Sequence, residues 1–294
     1  MNTTELHIPS NKVHDIERYC LCELHGLYPD EEIRMFIRML FEAWMGWSFT
    51  ELLMHREETI NQSDLLQFHW AVEDLRRYRP IQHIIGWTEF CGCRIEVDES
   101  TLIPRPETEE IVQKTVTLMK GKTGKRILDL CTGSGCIAIA LAKECPNATV
   151  TAVDISEKAL DKARKNAENN NVRVEFIQMD ILNDDTAVLP HPFDLIISNP
   201  PYVMQQERST MQRNVLDWEP ADALFVPDEN PMKYYKAISS IAKEQLIPDG
   251  LLVLEINEKL GQETMHLLEE DGFEGTIHDD FRGKARMLSL RRKQ

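Results

Sequence analysis

From residue 126 onward, short apolar runs alternate with amphipathic or alanine-rich segments, and no other feature of the chain restricts its fold as tightly. The runs at 126–130, 149–154, 172–177, 193–198, 250–256, 273–278 and 286–290 have the length and the branched or aromatic content of buried strands. Between them, segments such as 136–144 and 156–169 read as helices. A strand followed by a helix re-enters its sheet in the same direction, so the alternation predicts the α/β class, a mostly parallel sheet wrapped by helices. No helical segment separates the last two runs, which predicts a hairpin at one edge of that sheet.

The first 80 or so residues have a different texture. Ile33, Phe36, Ile37, Leu40 and Phe41 recur at the spacing of one helical stripe, after a Pro29-Asp30-Glu31-Glu32 start that puts carboxylates at the positive helix end. Ser63, followed by Asp64, is the expected cap of a second helix carrying Leu65, Phe68, Val72 and Leu75 on one face. Trp44 and Trp47 read as packing residues. The division is then a small helical domain over 1–82, a β-hairpin linker over 83–105 and the α/β domain over 106–294. In the linker, residues 84–90 and 93–97 read as two strands around Cys91-Gly92. The run Leu102-Ile103-Pro104-Arg105-Pro106-Glu107-Thr108-Glu109 reads as a bridge ending in a helix start.

Bulk chemistry excludes several functions. The formal net charge of −16 argues against a nucleic-acid duplex as substrate, because such binding draws on Lys and Arg at phosphates. No apolar stretch approaches the ~20 residues of a membrane helix, and the N-terminus lacks signal-peptide character, so a cytoplasmic protein is expected. The seven cysteines are odd in number and form no C-x-x-C pair, so buried reduced thiols are expected and no metal site.

The candidate cofactor site begins where the apolar run Ile127-Leu128-Asp129-Leu130 passes into Cys131-Thr132-Gly133-Ser134-Gly135 and a helix. Gly133-x-Gly135-x-x-Ala138 permits a tight turn, close backbone approach to a ligand and close helix packing, a pattern shared by nucleotide-binding enzymes of several kinds. Asp154 ends the next strand, placed to accept from two ribose hydroxyls, while Ser156 can cap the helix that follows. Asp180 and Ile181 follow the third run, where Asp180 would accept from an adenine amino group and Ile181 would pack on the ring. A carboxylate at Asp129 would oppose a pyrophosphate but suits a ligand with an ammonium group and a sulfonium, which favours S-adenosylmethionine over a dinucleotide.

The strand 193–198 stops in Asn199-Pro200-Pro201-Tyr202. Two prolines stiffen the turn and leave the Asn199 side-chain oxygen and the Pro200 carbonyl as fixed acceptors for a planar –NH2 group, with Tyr202 to cover its face. An amide nitrogen is a poor nucleophile, so its catalyst needs acceptors that favour charge developing on nitrogen together with strict alignment, rather than a strong base. A strand-ending turn with Asn as a local cap is the plainer alternative.

Taken together, these residues resemble the class I S-adenosylmethionine-dependent methyltransferases, and more closely the PrmC/HemK family of peptide chain release factor glutamine methyltransferases. The resemblance runs over most of the chain, through Arg76-Arg77-x-x-Pro80-Ile81-Gln82, Phe90-x-Gly92, residues 102–109 and 127–141, Asp154, Asp180, residues 198–202, Glu219-Pro220 and 250–255. It implies a seven-stranded Rossmann-like sheet with one antiparallel strand, and a helical N-terminal domain that helps hold the substrate. It implies methylation of the Gln side chain in the Gly-Gly-Gln motif of release factors, in translation termination; a monomer with no membrane or direct nucleic-acid contact is expected. It implies a cofactor set of Cys131, Thr132, Gly133, Ser134, Gly135, Asp154, Ile181 and Asn199. The substrate would meet Asn199, Pro200, Pro201 and Tyr202, of which Asn199, Pro200 and Tyr202 are catalytic.

The chain departs from the family pattern at Cys131, where glycine is usual and an ordinary backbone conformation is therefore expected. It departs also at Ile181, where an aromatic is common, and over 224–231 in place of a Gly-rich segment. Three other functions stay open. A methyltransferase acting on an exocyclic base amine would use the same acceptors, with a flipped base on Tyr202. A nicotinamide oxidoreductase shares the glycine pattern, and an idle adaptor for termination factors shares the helical domain.

Overall fold

A computed structural model describes residues 10–119, 125–190 and 192–293. By packing, the chain divides into two units: residues up to Gly86 with Arg213–Trp218, and Trp87–Gln212 with Glu219 onward. The first unit holds α1 (Val13–Leu24), α2 (Asp30–Met45), α3 (Phe49–Met54), α4 (Gln62–Arg76) and α5 (Ile81–Ile85). Helix α2 starts after Pro29 with three acidic residues in its first turn and ends at Gly46, whose left-handed backbone lets the chain turn away. Its expected stripe is its buried face, and Phe41 and Phe68 meet there with ring centroids 4.4 Å apart. Trp44 packs edge-on to Phe68 and Trp47 stacks on Phe41.

Two details differ from the sequence reading. Asn61, not Ser63, caps α4: its side chain accepts from the Asp64 N–H at 2.9 Å, and Ser63 lies inside the first turn. An Asn oxygen reaches that donor as well as a Ser oxygen does, so spacing alone does not choose between them. Residues 84 and 85 belong to α5 rather than a strand, because Gly86 at φ +88° ends a helical turn there.

The second unit opens with a hairpin, β1 (Trp87–Phe90) and β2 (Cys93–Glu96). Its turn residues Cys91 and Gly92 both have positive φ, +48° and +68°, the condition for a two-residue turn that matches strand twist. After α6 (Pro106–Leu118), the chain alternates as β3 (Arg126–Leu130), α7 (Cys136–Glu144), β4 (Thr149–Asp154), α8 (Glu157–Asn169), β5 (Glu175–Gln178) and β6 (Phe193–Ser198). A short β7 (Val203–Met204) follows, then α9 (Arg213–Leu216), which counts with the first unit. The chain continues through β8 (Phe225–Val226), α10 (Lys233–Gln245), β9 (Leu246–Glu255), α11 (Gly261–Glu270), β10 (Phe273–Asp279) and β11 (Ala285–Arg292). Strand β5 begins three residues later than expected, because Asn171 at φ +55° and the Val172 N–H bonded back to Ala167 spend that stretch on closing α8.

The seven-stranded sheet has the order β10-β11-β9-β6-β3-β4-β5. Only β11 runs against its neighbours, paired antiparallel with β9 and with β10 in the expected edge hairpin. Ile127, Leu195 and Val253 face one apolar cluster, and Leu128, Ile196 and Leu252 the other, so successive side chains fill both sides of the sheet. Because β4 and β6 flank β3, the strand order reverses beside β3. Ligands in open sheets of this kind bind at that point, outside the carboxyl ends.

Two side chains of α8 hold the hairpin. Asn166, fully buried, accepts from the Glu96 N–H and donates to the Glu96 and Ser134 carbonyls, at 2.7, 3.0 and 3.0 Å. One turn on, Asn170 accepts from the Arg94 N–H at 3.1 Å and donates to the Arg94 carbonyl at 2.8 Å. The pair completes the outer edge of β2 as a third strand would. Asn166→Ala would leave three backbone groups, one of them fully buried, without partners and should cost on the order of 3 kcal/mol in urea unfolding, against under about 1 kcal/mol for the more exposed Asn170→Ala. Equal costs would mean that the clamp is not the buried amide.

Candidate active site

At the end of β3 the chain must leave a buried strand and enter α7 within a few residues. Cys131, Gly133 and Gly135 all take positive φ there, +61°, +54° and +80°. The ordinary conformation expected at Cys131 is therefore not the one found. The Thr132 N–H reaches the Val153 carbonyl at 2.9 Å and prolongs the β3–β4 ladder, leaving residue 131 in the left-handed region at a cost of about 1–2 kcal/mol for a side chain. The two glycines divide the work. A β-carbon on Gly133 would meet no atom within 4 Å, whereas one on Gly135 would come to 2.9 Å from the Ala163 β-carbon of α8. Gly133 faces open space and Gly135 permits helix packing. Gly135 does not line the cavity.

Asp154 buttresses this loop. One carboxylate oxygen accepts from the Gly133 N–H at 2.8 Å and the other from the Ser156 N–H at 2.9 Å, while Ser156 itself caps α8. Burial raises the Asp154 carboxyl above its usual range. Beneath the loop Asp129, fully buried, accepts from Thr132 Oγ1 at 2.6 Å. Burial pushes its carboxyl up to about 7.

These residues open on a cavity of about 280 Å³. One wall is Cys131, Thr132, Gly133, Ser134 and Asp154, and another is Asp180 and Ile181. Asn199 and Pro201 also line it, from the end of β6. The Asp180 carboxylate is already engaged, accepting from the Leu182 N–H and from Asn183 Nδ2 at 2.9 and 2.7 Å, so it serves its own turn before any ligand. At the tip of β6, Ser198 Oγ donates to the Leu130 carbonyl at 2.6 Å, which ties the ends of β6 and β3 together.

Pro200 and Tyr202 do not line the cavity. The expected cover by Tyr202 is not what the structure shows: its ring packs with the apolar cluster and its hydroxyl donates to Glu255 Oε1 at 3.0 Å. Past the prolines, β7 pairs with β8, so residues 224–226 of the atypical segment serve as a second anchor for the turn.

The 102–109 run is more than a bridge. Pro104, Arg105 and Thr108 line the cavity, facing Pro220, Asp222 and Tyr234. Buried Glu219 accepts from the Ile103 N–H at 3.0 Å and pairs with the Arg105 guanidinium, fastening two walls together. An Arg and a Glu this far apart in the chain form no local pattern, and their resemblance to a family motif was the only signal for them. Thr108 and Tyr234 gave no signal of their own. Among the described residues no group of three or more His, Cys, Asp or Glu could hold a metal ion.

The raised Asp129 carboxyl has a consequence for stability. Between its ordinary value of 3.8 and about 7, the folded protein keeps a proton that the unfolded chain has released. Its contribution therefore favours folding at low pH and is lost as pH rises through about 7. Asp129→Asn should flatten the fall in stability across that window when urea unfolding is measured at several pH values. A slope equal to the parent's would assign the effect to another group.

Comparison with known proteins follows the same lines. Residues 112–218 match the methyltransferase small domain, and residues 21–86 match the PrmC N-terminal domain. A release factor glutamine methyltransferase of Flavobacterium psychrophilum is 41% identical, over 91% of this chain and 94% of its own. One from Bacteroides thetaiotaomicron is 38% identical, over 94% and 99%. In structure, a methyltransferase from Pyrococcus furiosus shares the fold with a TM-score of 0.52 at 22% identity, over 69% of this chain and 89% of that one. The ladder carried past β3 into a glycine loop, the acidic cavity and the diproline turn are thus set in a chain that belongs to the release factor glutamine methyltransferase family.

Proposed function

We propose that the chain methylates the side-chain amide nitrogen of a glutamine, the Gln of the Gly-Gly-Gln motif of peptide chain release factors, with S-adenosylmethionine as donor. One observation carries this reading: Gly133, Asp154 and Asn199 line a single cavity beside the point where strand order reverses. The cavity's chemistry fits the donor. Among the described lining residues Arg105 is the one cation, and it is paired with Glu219, while Asp154, Asp180 and Asp222 line the same space. Such a wall suits a cationic ligand and would repel a pyrophosphate.

Bound there, the donor supplies a methyl group on a positively charged sulfur. The Gly133 backbone offers the open approach, and Asp154 keeps lone pairs for ribose hydroxyls beyond those given to Gly133 and Ser156. Ile181 offers an apolar surface to the base. Asn199 Oδ1 and the Pro200 carbonyl accept from the substrate –NH2, orient it and stabilise charge as it develops on nitrogen. Tyr202 supports the turn from behind, through Glu255, rather than touching the amide.

The test is to incubate the protein with labelled donor and, separately, an unmodified release factor and nucleic acid, then locate the label by mass spectrometry. Label on a glutamine side chain is expected, and label on nucleic acid alone would overturn the reading. Asn199→Ala should cut turnover by about 10²–10³ while leaving donor affinity within a few fold. Asp154→Ala should weaken donor binding by at least about tenfold in calorimetry, the loss of a hydrogen-bonded charge. An unchanged affinity would remove Asp154 from the ribose role.

A further inference from the structure

We propose that Thr108 and Glu255 are positioning residues that fix which way round the Asn199 carboxamide lies, so that its oxygen and not its nitrogen meets the substrate amine. The inference rests on the methyl-transfer reading above. The two ends of an Asn side chain have nearly the same shape, and a half-turn of its terminal torsion exchanges an acceptor for a donor. With the –NH2 end forward, Asn199 would present hydrogens to the hydrogens of the substrate amide. Something must bias the torsion.

The bias is visible beside it. Ser198 pairs with Leu254 in the β6–β9 ladder, so Asn199 and Glu255 leave the sheet side by side. Thr108, in the first turn of α6, stands between them: its Oγ1 is 2.7 Å from Glu255 Oε2 and 3.4 Å from Asn199 Nδ2. Thr108 and Glu255 are each only 2% exposed, so water does not compete for these bonds. A hydroxyl has one hydrogen to give. Thr108 Oγ1 donates its one hydrogen to Glu255 Oε2, so the oxygen of Thr108 that remains toward Asn199 can only accept. The –NH2 end of Asn199 is the partner that satisfies it. The other oxygen of Glu255 accepts from the Tyr202 hydroxyl at 3.0 Å, and Asn199 Nδ2 lies against Thr108 rather than against the carboxylate. The direction of two hydroxyls, set by one buried carboxylate, selects the direction of the amide.

The orientation can be read without turnover. Neutron diffraction from the deuterated protein should show deuterons on the Asn199 atom facing Thr108, and an oxygen there would overturn the inference whatever the enzyme's substrate. Kinetics with labelled donor and an unmodified release factor give a second reading. Thr108→Val keeps the shape and removes the hydroxyl, and should lower kcat at least about tenfold with the donor KM within about twofold, while Thr108→Ser should recover most of the loss. Glu255→Gln places an –NH2 where one hydroxyl needs an acceptor, and should lower kcat in the same way. Full turnover in folded Thr108→Val, or a Thr108→Ser protein no better than it, would exclude the role. Loss of all activity in the parent would instead strike the methyl-transfer reading and leave the neutron result to decide this one.

Discussion

The β3–β4 ladder does not stop where the strands stop, and the site depends on that. The Thr132 N–H continues it to the Val153 carbonyl, and the Gly133 N–H then turns to the Asp154 carboxylate one residue further along β4. A buried backbone donor must be paired, so these bonds oblige the loop to cross the end of the sheet rather than rise away from it. The left-handed Cys131 follows from the same obligation. So does the open space over Gly133, because a loop held flat against the strand ends leaves its outer side free.

Carboxylates hold the remaining walls. Glu219 fastens the 103–105 segment, Glu255 gathers Thr108 and Tyr202, and Asp129 sits under the glycine loop. Burying a carboxylate is costly unless its oxygens find donors, and Glu219 and Glu255 find theirs on distant stretches of chain, whereas Asp129 takes its own from Thr132 close by. Glu219 and Glu255 therefore act as joints: their need for partners brings together segments that apolar packing alone would leave free to slide. For Glu255 burial raises the carboxyl above its usual range, with the Arg286 guanidinium working against it.

How much of this could be read from the chain follows from the range of the forces involved. Strand runs, the edge hairpin, the α2 stripe and the glycine loop are local patterns, and the structure has them within a few residues. Errors of one kind recur where local rules are degenerate: Asn61 or Ser63 as a cap, a helical turn or a strand at Ile84. Cys131 was misjudged because its conformation is imposed by β4, not by its neighbours in sequence. The cover expected of Tyr202, and the absence of any expectation for Arg105 and Thr108 at the cavity, have a similar reason. Their partners, Glu255 and Glu219, come from distant segments, and a single sequence carries no physical signal that pairs them.

The pairing of β7 with β8 gives the diproline turn a mechanical character that prolines alone would not. Stiff as Pro200 and Pro201 are in themselves, a turn leaving only β6 would be a cantilever, its far end free to swing with whatever loop came next. The ladder of Val203 with Phe225 and Met204 with Val226 grips that far end. A span built in at both abutments bends far less than one held at a single root. Residue changes along 224–226, remote from any reacting atom, would therefore be felt at Asn199 as a change in compliance.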